Sequence, residues 1–443
     1  MTKGTFIIIL GAGPAGLTAA LEILRHTHHR PILIERSADT GGICQRFEHD
    51  GVNVDVGGHR FHTKSDRIKS WWFSVMPDGF QNKSRSSALY FNHQLYSYPV
   101  TVTASTLSQL GFETSARIFF SYLFRGKKTI QNLEDFFCQT YGAVLYKLFF
   151  SDYTRKVWGK NCHEIKPTWA SQRLKRPRIS ESKSDDFFYP YGGPSEFWQE
   201  VRRLVESLGG EVISSTTVTG LVMKNDNIDE VHTTRGSFSG SHFISTIPMA
   251  ELSKLLLGKS LNLPYRSLIS VSLSLPKNHL QLEKNSHQWI YIHQAGLKMC
   301  RLQVYGSWDK SMASDDHELI GIEFMTDTHD NLWSMTDDEL RDLAVSELAS
   351  LTFIKQMTSS VNATVHRIPH AYPCYWGDYE KLDELVDSIR SMNNLYTCGR
   401  QGLHRYINMD QAMLSALQVV DHIRFGGSKA HLYSDFESLH LPE

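Results

Sequence analysis

The pattern of apolar and polar positions changes its period several times along the chain. It opens with a short apolar run, Phe6–Leu10, followed by a glycine-rich turn, a helical pattern and a second apolar run that ends at Glu35. This order predicts a strand, a tight turn, a helix and a second strand. The opening therefore indicates an α/β fold.

Other periods dominate further along. Residues 103–146 have the pattern of several amphipathic helices, and Thr129 is the expected N-cap of one of them. Residues 261–364 alternate apolar and polar positions, which predicts a sheet-built domain. The alternation over Val52–Val56 predicts a strand. Asn92-His93 predicts a hairpin turn, and Thr336 with Glu339 predicts a capping box. We expect a discontinuous nucleotide-binding domain (1–90, 187–260 and 392–443), a helical insert (91–186) and a sheet domain (261–391).

The glycine-rich turn carries the first chemical signal. In GAGPAG, Gly11 permits a sharp turn, Gly13 lets a pyrophosphate approach the backbone, and Gly16 allows the helix to pack on the strand. The phosphates would lie at the helix N-terminus, next to Pro14 and Ala15. Glu35 follows at the spacing expected of an acid that binds a ribose 2′-hydroxyl. The segment predicts dinucleotide binding.

Composition narrows the class of protein. The 443 residues carry a net charge of −1 with no basic tract, so nothing indicates nucleic-acid binding. The six cysteines form no CxxC pair, which argues against a structural zinc and for a reducing compartment. We see no signal peptide and no apolar run long enough to span a membrane. The expectation is a cytoplasmic protein without a metal site.

Downstream residues connect the chain to a known family. Gly41-Gly42, followed by Gly57, Gly58, His59, Phe61, His62 and Thr63, resembles the UDP-galactopyranose mutases, a branch of the flavin amine oxidase and protoporphyrinogen oxidase superfamily. The resemblance implies a glutathione-reductase-like Rossmann domain that binds FAD rather than NAD. It also implies that His59 and His62 pass beside the isoalloxazine ring. From the residues alone, packing or phosphate contact is the alternative for both histidines.

A second block of resemblance lies in the centre of the chain. Tyr153, Thr154, Lys156, Trp158 and Gly159 match a mutase pattern, and this implies substrate binding by Tyr153 and Trp158. Burial of Trp158 in the core is the alternative. A family arginine that grips the substrate diphosphate matches Arg173, although the spacing leaves Arg176 or Arg178 open and a solvated basic helix face is equally compatible.

The third block lies towards the C-terminus. The resemblance implies that Arg301 is a second diphosphate arginine, and its planar fork suits phosphate oxygens. Tyr375 and Tyr406 resemble active-site tyrosines. Gly399-Arg400 resembles the strand end that contacts the FAD diphosphate. The full set of cofactor residues implied is Gly11, Gly13, Pro14, Ala15, Gly16, Glu35, Arg36, Gly42, Gly58, His59, Val218, Gly399, Arg400, Asn408 and Met409.

The resemblance implies a flavoenzyme that acts on a nucleotide-activated sugar. The leading hypothesis is a pyranose–furanose isomerisation through N5 of reduced flavin, with Arg301, Arg173, His62 and Tyr406 as catalytic residues and Tyr153, Trp158, Tyr375 and His59 as substrate residues. The alternative is an FAD-dependent oxidase, dehydrogenase or desaturase. An external reductant such as NAD(P)H and a homodimer are further expectations. A flavin-binding protein without catalysis is a third possibility, disfavoured by the convergence of arginines and aromatics.

Overall fold

A computed structural model describes residues 6–98, 103–126, 129–167, 186–282, 287–355, 361–429 and 432. Its strands, in chain order, are β1 Phe6–Leu10, β2 Arg30–Ile34, β3 Phe47–His49, β4 Val52–Val54, β5 Phe80–Ser84, β6 Ser87–Phe91, β7 Gln94–Ser97, β8 Asp186–Pro190, β9 Glu211–Ile213, β10 Val218–Lys224, β11 Asn227–Thr233, β12 Gly236–Ser239, β13 His242–Ser245, β14 Tyr265–Pro276, β15 Trp289–Ile292, β16 Arg301–Val304, β17 His317–Thr326, β18 Ala363–Pro373 and β19 Leu395–Thr397.

The helices are α1 Pro14–His26, α2 Asp66–Val75, α3 Ala104–Leu110, α4 Phe112–Leu123, α5 Leu133–Tyr141, α6 Ala143–Leu145, α7 Asp152–Trp158, α8 Pro194–Ser207, α9 Met249–Leu257, α10 Tyr305–Trp308, α11 Asn331–Ser334, α12 Asp337–Ala349, α13 Leu382–Ser391, α14 Gly399–Gly402 and α15 Met409–Phe425. A π-helical turn, Tyr146–Ser151, joins α6 to α7.

The first sheet is the predicted nucleotide-binding unit. Its five strands run in the order β19-β13-β1-β2-β9, and every pair is parallel. Four of the five residues of β1 are fully buried, since both faces of a parallel sheet are covered. Helices α1, α8 and α15 pack together beside this sheet. The Rossmann-type α/β prediction is confirmed.

The second sheet has seven strands in the order β18-β14-β17-β16-β15-β6-β7. It mixes antiparallel pairs with one parallel pair, β15 with β6. The predicted hairpin at Asn92-His93 is confirmed, because both residues have positive φ and join β6 to β7. This hairpin belongs to the seven-stranded sheet, so the domain border predicted after residue 90 divides it. The wider domain division stays a prediction.

Two local predictions need correction. The helix expected to start near Thr129 is capped instead by Asn132, whose side chain accepts a hydrogen bond from the Asp135 backbone N–H at 2.9 Å. The strand expected over Val52–Val56 stops at Val54, which leaves Asp55 outside the ladder. The predicted capping box at Thr336 and Glu339 is present.

Candidate active site

The glycine loop has the close approaches that its sequence predicts. Gly11 has φ +99°, and a Cβ on Gly16 would lie 2.0 Å from the Gly11 carbonyl oxygen. The segment that carries Gly41 and Gly42 crosses the glycine loop at close range, because a Cβ on Gly42 would lie 3.2 Å from the Gly13 Cα. Pro14 and Ala15 open α1, whose N-cap Gly13 offers no side chain to its first N–H groups. Uncapped N–H groups at a helix N-terminus favour a phosphate.

Glu35 lies at the end of β2, directly beside this loop. One carboxylate oxygen accepts a hydrogen bond from the Ala12 N–H at 2.7 Å, and the other accepts from the Ser37 N–H at 2.8 Å. These bonds orient the carboxylate, and each oxygen keeps a further lone pair for a ribose hydroxyl. The geometry is compatible with the role that the spacing of Glu35 predicts.

Two further candidate cofactor residues, Arg36 and Val218, differ in their surroundings. Arg36 pairs at the surface with Glu251 at 3.1 Å, and both side chains are exposed. Val218 begins β10 just after Thr216, whose N–H donates to the Glu35 carbonyl at 2.8 Å. The start of β10 therefore lies next to Glu35, whereas the Arg36 side chain forms a surface ion pair with Glu251.

Gly58 and His59 lie where the cofactor loop meets the second sheet. A Cβ on Gly58 would come within 2.8 Å of the Trp308 ring and 3.0 Å of the Trp289 ring, so these indoles require glycine. His59 is enclosed, and burial together with the charges of Arg400 and Arg301 lowers its pKa to about 3. Its imidazole is therefore neutral at physiological pH. Its Nδ1 has no hydrogen-bond partner among the described residues.

His62 takes a different position from His59. It is exposed, with Nδ1 3.4 Å from the Asp186 carbonyl oxygen, and it lies close enough to Asp410 to influence the pKa of that carboxyl. Asp410 is buried in the first turn of α15, after the N-cap Asn408 and the first helical residue Met409. Burial raises the pKa of Asp410, although a hydrogen bond from Thr63 opposes the shift. His62 thus lies at the N-terminus of α15 and not among the residues around Arg301.

Arg301 is the centre of a buried polar cluster. Its Nη2 lies 2.5 Å from a carboxylate oxygen of the fully buried Glu323, and it also donates to the Tyr372 hydroxyl at 3.0 Å. Burial alone would lower the pKa of Arg301, but the Glu323 carboxylate holds it well above its usual value. The guanidinium also lies 5.0 Å from the Trp289 ring centroid. Arg301 is a fixed, protonated fork.

Tyr372 connects Arg301 to Arg400, the arginine that is predicted to contact the cofactor. Its ring stacks on Tyr406 with centroids 4.9 Å apart, and the Arg400 guanidinium lies 5.4 Å from the Tyr372 ring and 4.9 Å from the Tyr406 ring. Arg400 also donates to the Ile407 carbonyl at 2.9 Å. Burial raises the pKa of Tyr372 to about 12, against the effect of Arg301. Arg301, Tyr372, Tyr406 and Arg400 therefore form one continuous chain of contacts, which we call the arginine–tyrosine chain.

Helix α7 brings Tyr153 and Trp158 to this chain. Tyr153 stacks parallel on His293 at 4.0 Å, and it feels the charge of Arg301. Trp158 is buried and lies edge-on to Tyr372 at 6.5 Å and to Tyr406 at 6.1 Å. Tyr153 is half-buried beside Arg301, whereas Trp158 packs against the edges of the two stacked tyrosines.

Sequence reasoning missed three members of the site: Glu323, Tyr372 and Trp289. Tyr375, which the sequence predicts at the site, contacts the chain through Tyr406, because its hydroxyl accepts a hydrogen bond from the Tyr406 N–H at 2.9 Å. The available signal for Tyr372 was its place in the strand segment β18, of which it is the last residue but one. His404 is fully buried, with Nε2 2.9 Å from the Cys374 carbonyl oxygen. Arg173, Arg176 and Arg178 lie outside the described residues.

Two protein-family models match parts of this chain. Residues 9–73 match an NAD(P)-binding Rossmann-like domain, and residues 109–424 match the flavin containing amine oxidoreductases. The second match spans most of the chain. The chain therefore belongs to the flavin containing amine oxidoreductases.

Two mutases are similar to part of this chain. It is 29% identical over 192 residues to dTDP-fucopyranose mutase of Escherichia coli and 27% identical over 195 residues to a probable UDP-galactopyranose mutase of Klebsiella pneumoniae. Each match covers 41% of this chain, and the chain spans about half the length of these relatives, 48% and 47%.

Solved structures share the fold over nearly the whole length. Reduced UDP-galactopyranose mutase superposes with a TM-score of 0.81 at 16% identity, covering 98% of this chain and 96% of that one. A putative protoporphyrinogen oxidase from Exiguobacterium sp. 255-15 gives 0.76 at 14% identity, covering 96% and 100%. The expected fold and superfamily are confirmed.

Family membership implies a flavin cofactor, and the described residues fit one. The Gly13–Gly42 crossing leaves backbone without side chains beside the start of α1, and the buried Nδ1 of His59 has no hydrogen-bond partner among the described residues. Among the described residues, no group of three or more histidines, cysteines or acids could hold a metal ion. None of the described helices is long and apolar enough to cross a membrane.

Proposed function

We propose that the protein binds FAD and catalyses a pyranose–furanose isomerisation of a nucleotide-activated sugar. The observation that carries this proposal is the arginine–tyrosine chain, which joins the predicted diphosphate residue Arg301 to the predicted cofactor residue Arg400. Arg301 donates to the Tyr372 hydroxyl, and the Arg400 guanidinium lies against both rings of the Tyr372–Tyr406 stack. The mutase relatives support the same reaction class.

The side chains divide the work of binding and orientation. Arg301 is held in one orientation by Glu323, so its remaining N–H groups can meet a diphosphate without reorganisation. Tyr153 is a half-buried ring beside Arg301, and an aromatic ring there suits a nucleoside. Neutral His59 can exchange a hydrogen bond with the flavin without adding charge. When bound and reduced, FAD supplies the nucleophilic nitrogen for the anomeric carbon.

Glu323 neutralises much of the charge of Arg301, so the diphosphate needs a second cation. Arg173, Arg176 and Arg178 remain the sequence candidates. The described residues add Arg60, whose guanidinium lies 5.7 Å from the Trp289 ring that Arg301 also contacts. NAD(P)H as the reductant and a cytoplasmic location stay predictions.

The test compares dithionite-reduced and oxidised holoenzyme with dTDP- and UDP-sugars, followed by chromatography of the products. The proposal expects isomer formation with the reduced enzyme alone. Stoichiometric bleaching of the flavin by an unactivated substrate, with no isomer, would overturn it.

The second candidate is an FAD-dependent oxidoreductase. It is favoured by the family match over residues 109–424 and by the likeness in fold to the putative protoporphyrinogen oxidase. It predicts turnover with an electron acceptor in place of sugar isomerisation.

A further inference from the structure

Lys156 is a half-buried lysine on helix α7, three residues after Tyr153. Its Nζ donates to the carbonyl oxygens of Ile292 at 2.9 Å and Met299 at 3.0 Å, and the Gln294 carbonyl oxygen lies at 3.5 Å. An ammonium group has three N–H bonds and no acceptor. Three carbonyl oxygens therefore use all of its donors, and none remains for a substrate phosphate.

The carbonyl oxygens around Lys156 belong to the turn between two strands of the seven-stranded sheet. They lie at the end of β15 and in the segment that joins it to β16, residues 293–300, which we call the β15–β16 loop. Pairing between the two strands ends with Tyr291 opposite Arg301. Lys156 thus binds both arms of the hairpin just beyond the register pair that contains Arg301.

A buried acid binds the same loop. Glu347, on helix α12, accepts hydrogen bonds from the backbone N–H of Lys298 at 2.7 Å and of Met299 at 2.8 Å. Met299 is therefore bound by Lys156 through its carbonyl oxygen and by Glu347 through its N–H. A loop whose backbone is bound by two charged side chains, each from a different helix, has little freedom to shift.

His293 connects the β15–β16 loop to Tyr153. The two rings stack with centroids 4.0 Å apart and planes only 3° apart. The carbonyl oxygens of Ile292 and Gln294, on either side of His293, are among those that surround Lys156. Burial, together with the charge of Lys156, lowers the pKa of His293 to about 3, so its imidazole is neutral at physiological pH. Lys156 therefore fixes the ring against which Tyr153 packs.

Helix α7 is thus attached to the site at two points. Its last residue, Trp158, packs against the edges of the two stacked tyrosines of the arginine–tyrosine chain. Lys156 attaches the helix to the β15–β16 loop, shortly before Arg301. Burial raises the pKa of Tyr153, and the nearby charge of Arg301 opposes this shift. The separation of the Tyr153 ring from the Arg301 guanidinium therefore depends on the contacts of Lys156.

We propose that Lys156 is a positioning residue that sets the place of Tyr153 beside Arg301, so that the two can hold the nucleoside diphosphate part of the substrate together. The helix carries one of these residues and the hairpin carries the other, and Lys156 joins helix to hairpin. This role rests on the proposed function, because that function makes Tyr153 and Arg301 substrate residues.

The test is equilibrium dialysis of the FAD-loaded protein against UDP and dTDP, together with KM and kcat for the corresponding sugar nucleotides. Lys156→Met keeps the length of the side chain and removes its donors. We expect both the dissociation constant and KM to rise about tenfold, the fold-change of one well-placed aromatic contact, with kcat little changed and flavin still bound. The matched control is Lys166→Met, whose exposed ammonium pairs with the exposed Glu380 and which should bind like wild type.

Glu347→Gln tests the same loop from helix α12. A single amide oxygen replaces the two carboxylate oxygens that bind Lys298 and Met299, so this variant should also weaken UDP and dTDP binding. Because both side chains hold one loop, Lys156→Met/Glu347→Gln should lose less affinity than the product of the two single effects. Multiplicative effects would show that the two residues act separately and would contradict the proposed link.

The other outcomes separate this role from the reaction itself. Wild-type protein that binds neither UDP nor dTDP would overturn the proposed function. Wild-type binding that Lys156→Met leaves unchanged would overturn the positioning role alone, as would a loss of kcat at constant KM. If Lys156→Met fails to retain flavin, His293→Leu replaces it, since it removes the stacking partner of Tyr153 and keeps Lys156. Unchanged affinity in that variant would equally contradict the role.

Discussion

Arg301 is a buried cation whose position depends on one buried acid. Because Glu323 is fully enclosed, the two charges stabilise each other only as a pair. Removing one partner from a buried pair costs about 3–5 kcal/mol, since the other is left uncompensated. Any substitution of Arg301 therefore acts on stability as well as on substrate binding, and the two effects have to be separated.

We predict that Arg301→Ala raises KM and lowers kcat while the flavin stays bound, and that it lowers the free energy of unfolding by about 3–5 kcal/mol. Arg301→Ala/Glu323→Gln should recover most of the stability and none of the activity. Tyr372→Phe keeps the charge pair and loses one hydrogen bond, so its effect should be smaller. Steady-state kinetics, flavin absorbance and urea unfolding measure the three quantities. Loss of flavin from Arg301→Ala would contradict the assignment.

Asp55 is a second buried charged residue, and it should make the stability of the protein depend on pH. It is buried, and its side chain accepts a hydrogen bond from the Tyr189 hydroxyl at 2.5 Å. Burial raises its pKa from 3.8 to about 7, although this hydrogen bond opposes the shift. The folded state therefore holds a proton that the unfolded chain releases near pH 4. Asp55 thus favours folding at low pH, and this contribution is lost as pH rises towards 7.

We predict that stability falls between about pH 4 and pH 7 by roughly 4 kcal/mol through Asp55, and that the loss levels off above pH 7. Asp55→Asn keeps an acceptor for Tyr189 and should remove this slope. Urea unfolding of both proteins across that range is the measurement. A slope that is equal in the two proteins would show that Asp55 is ionised in the folded state.

At the scale of elements, two glycines at the junction of β1 with α1 are needed for different reasons. At Gly16 a Cβ would strike the Gly11 carbonyl, so helix and strand could no longer pack. At Gly13 the nearest atom to a Cβ is the Gly42 Cα, at an ordinary 3.7 Å. The protein itself tolerates a methyl group at Gly13, and only a bound pyrophosphate would meet it.

We therefore predict opposite phenotypes for two alanine variants. Gly13→Ala should unfold at nearly the wild-type temperature but bind flavin at least about tenfold more weakly. Gly16→Ala should lower the melting temperature of the apoprotein itself. Gly126→Ala, where nothing lies within 4 Å of a Cβ, is the control for both. Thermal unfolding of apoprotein and titration with FAD distinguish the outcomes. Unchanged flavin affinity in Gly13→Ala would place the pyrophosphate elsewhere.

Element-scale predictions succeeded where the signal was local. The strand–turn–helix of Phe6–His26, the hairpin at Asn92-His93 and the capping box at Thr336 each depend on a few neighbouring residues. The misplaced helix start near Thr129 shows the limit, because Thr and Asn are both good N-caps and only the packed structure selects Asn132.

At the scale of the whole molecule, the candidate site lies where two sheets meet. Gly58 belongs to the loop that follows β4, yet its nearest neighbours are Trp289 and Trp308, on β15 and α10. A Cβ at this point would push the cofactor loop away from the seven-stranded sheet, which also carries Arg301. The contact thus sets the distance between the proposed flavin and the proposed substrate.

We predict that Gly58→Ala lowers kcat about tenfold or more while flavin remains bound, since a small displacement of reacting groups is costly. Turnover per bound flavin is the measurement, with Gly126→Ala again as the control. Full activity in Gly58→Ala would show that the two tryptophans can move aside.

The dinucleotide loop and the order of its elements can be predicted from the amino-acid sequence alone. Gly11, Gly13, Gly16 and Glu35 lie within one strand–helix–strand unit, where spacing along the chain dictates spacing in space. The arginine–tyrosine chain, in contrast, depends on how distant elements pack. Arg301, Tyr372 and Arg400 come from different elements, and strand register and buried charge pairing bring them together. Neither leaves a local pattern, which is why Glu323 and Tyr372 were visible only once the sheet was assembled.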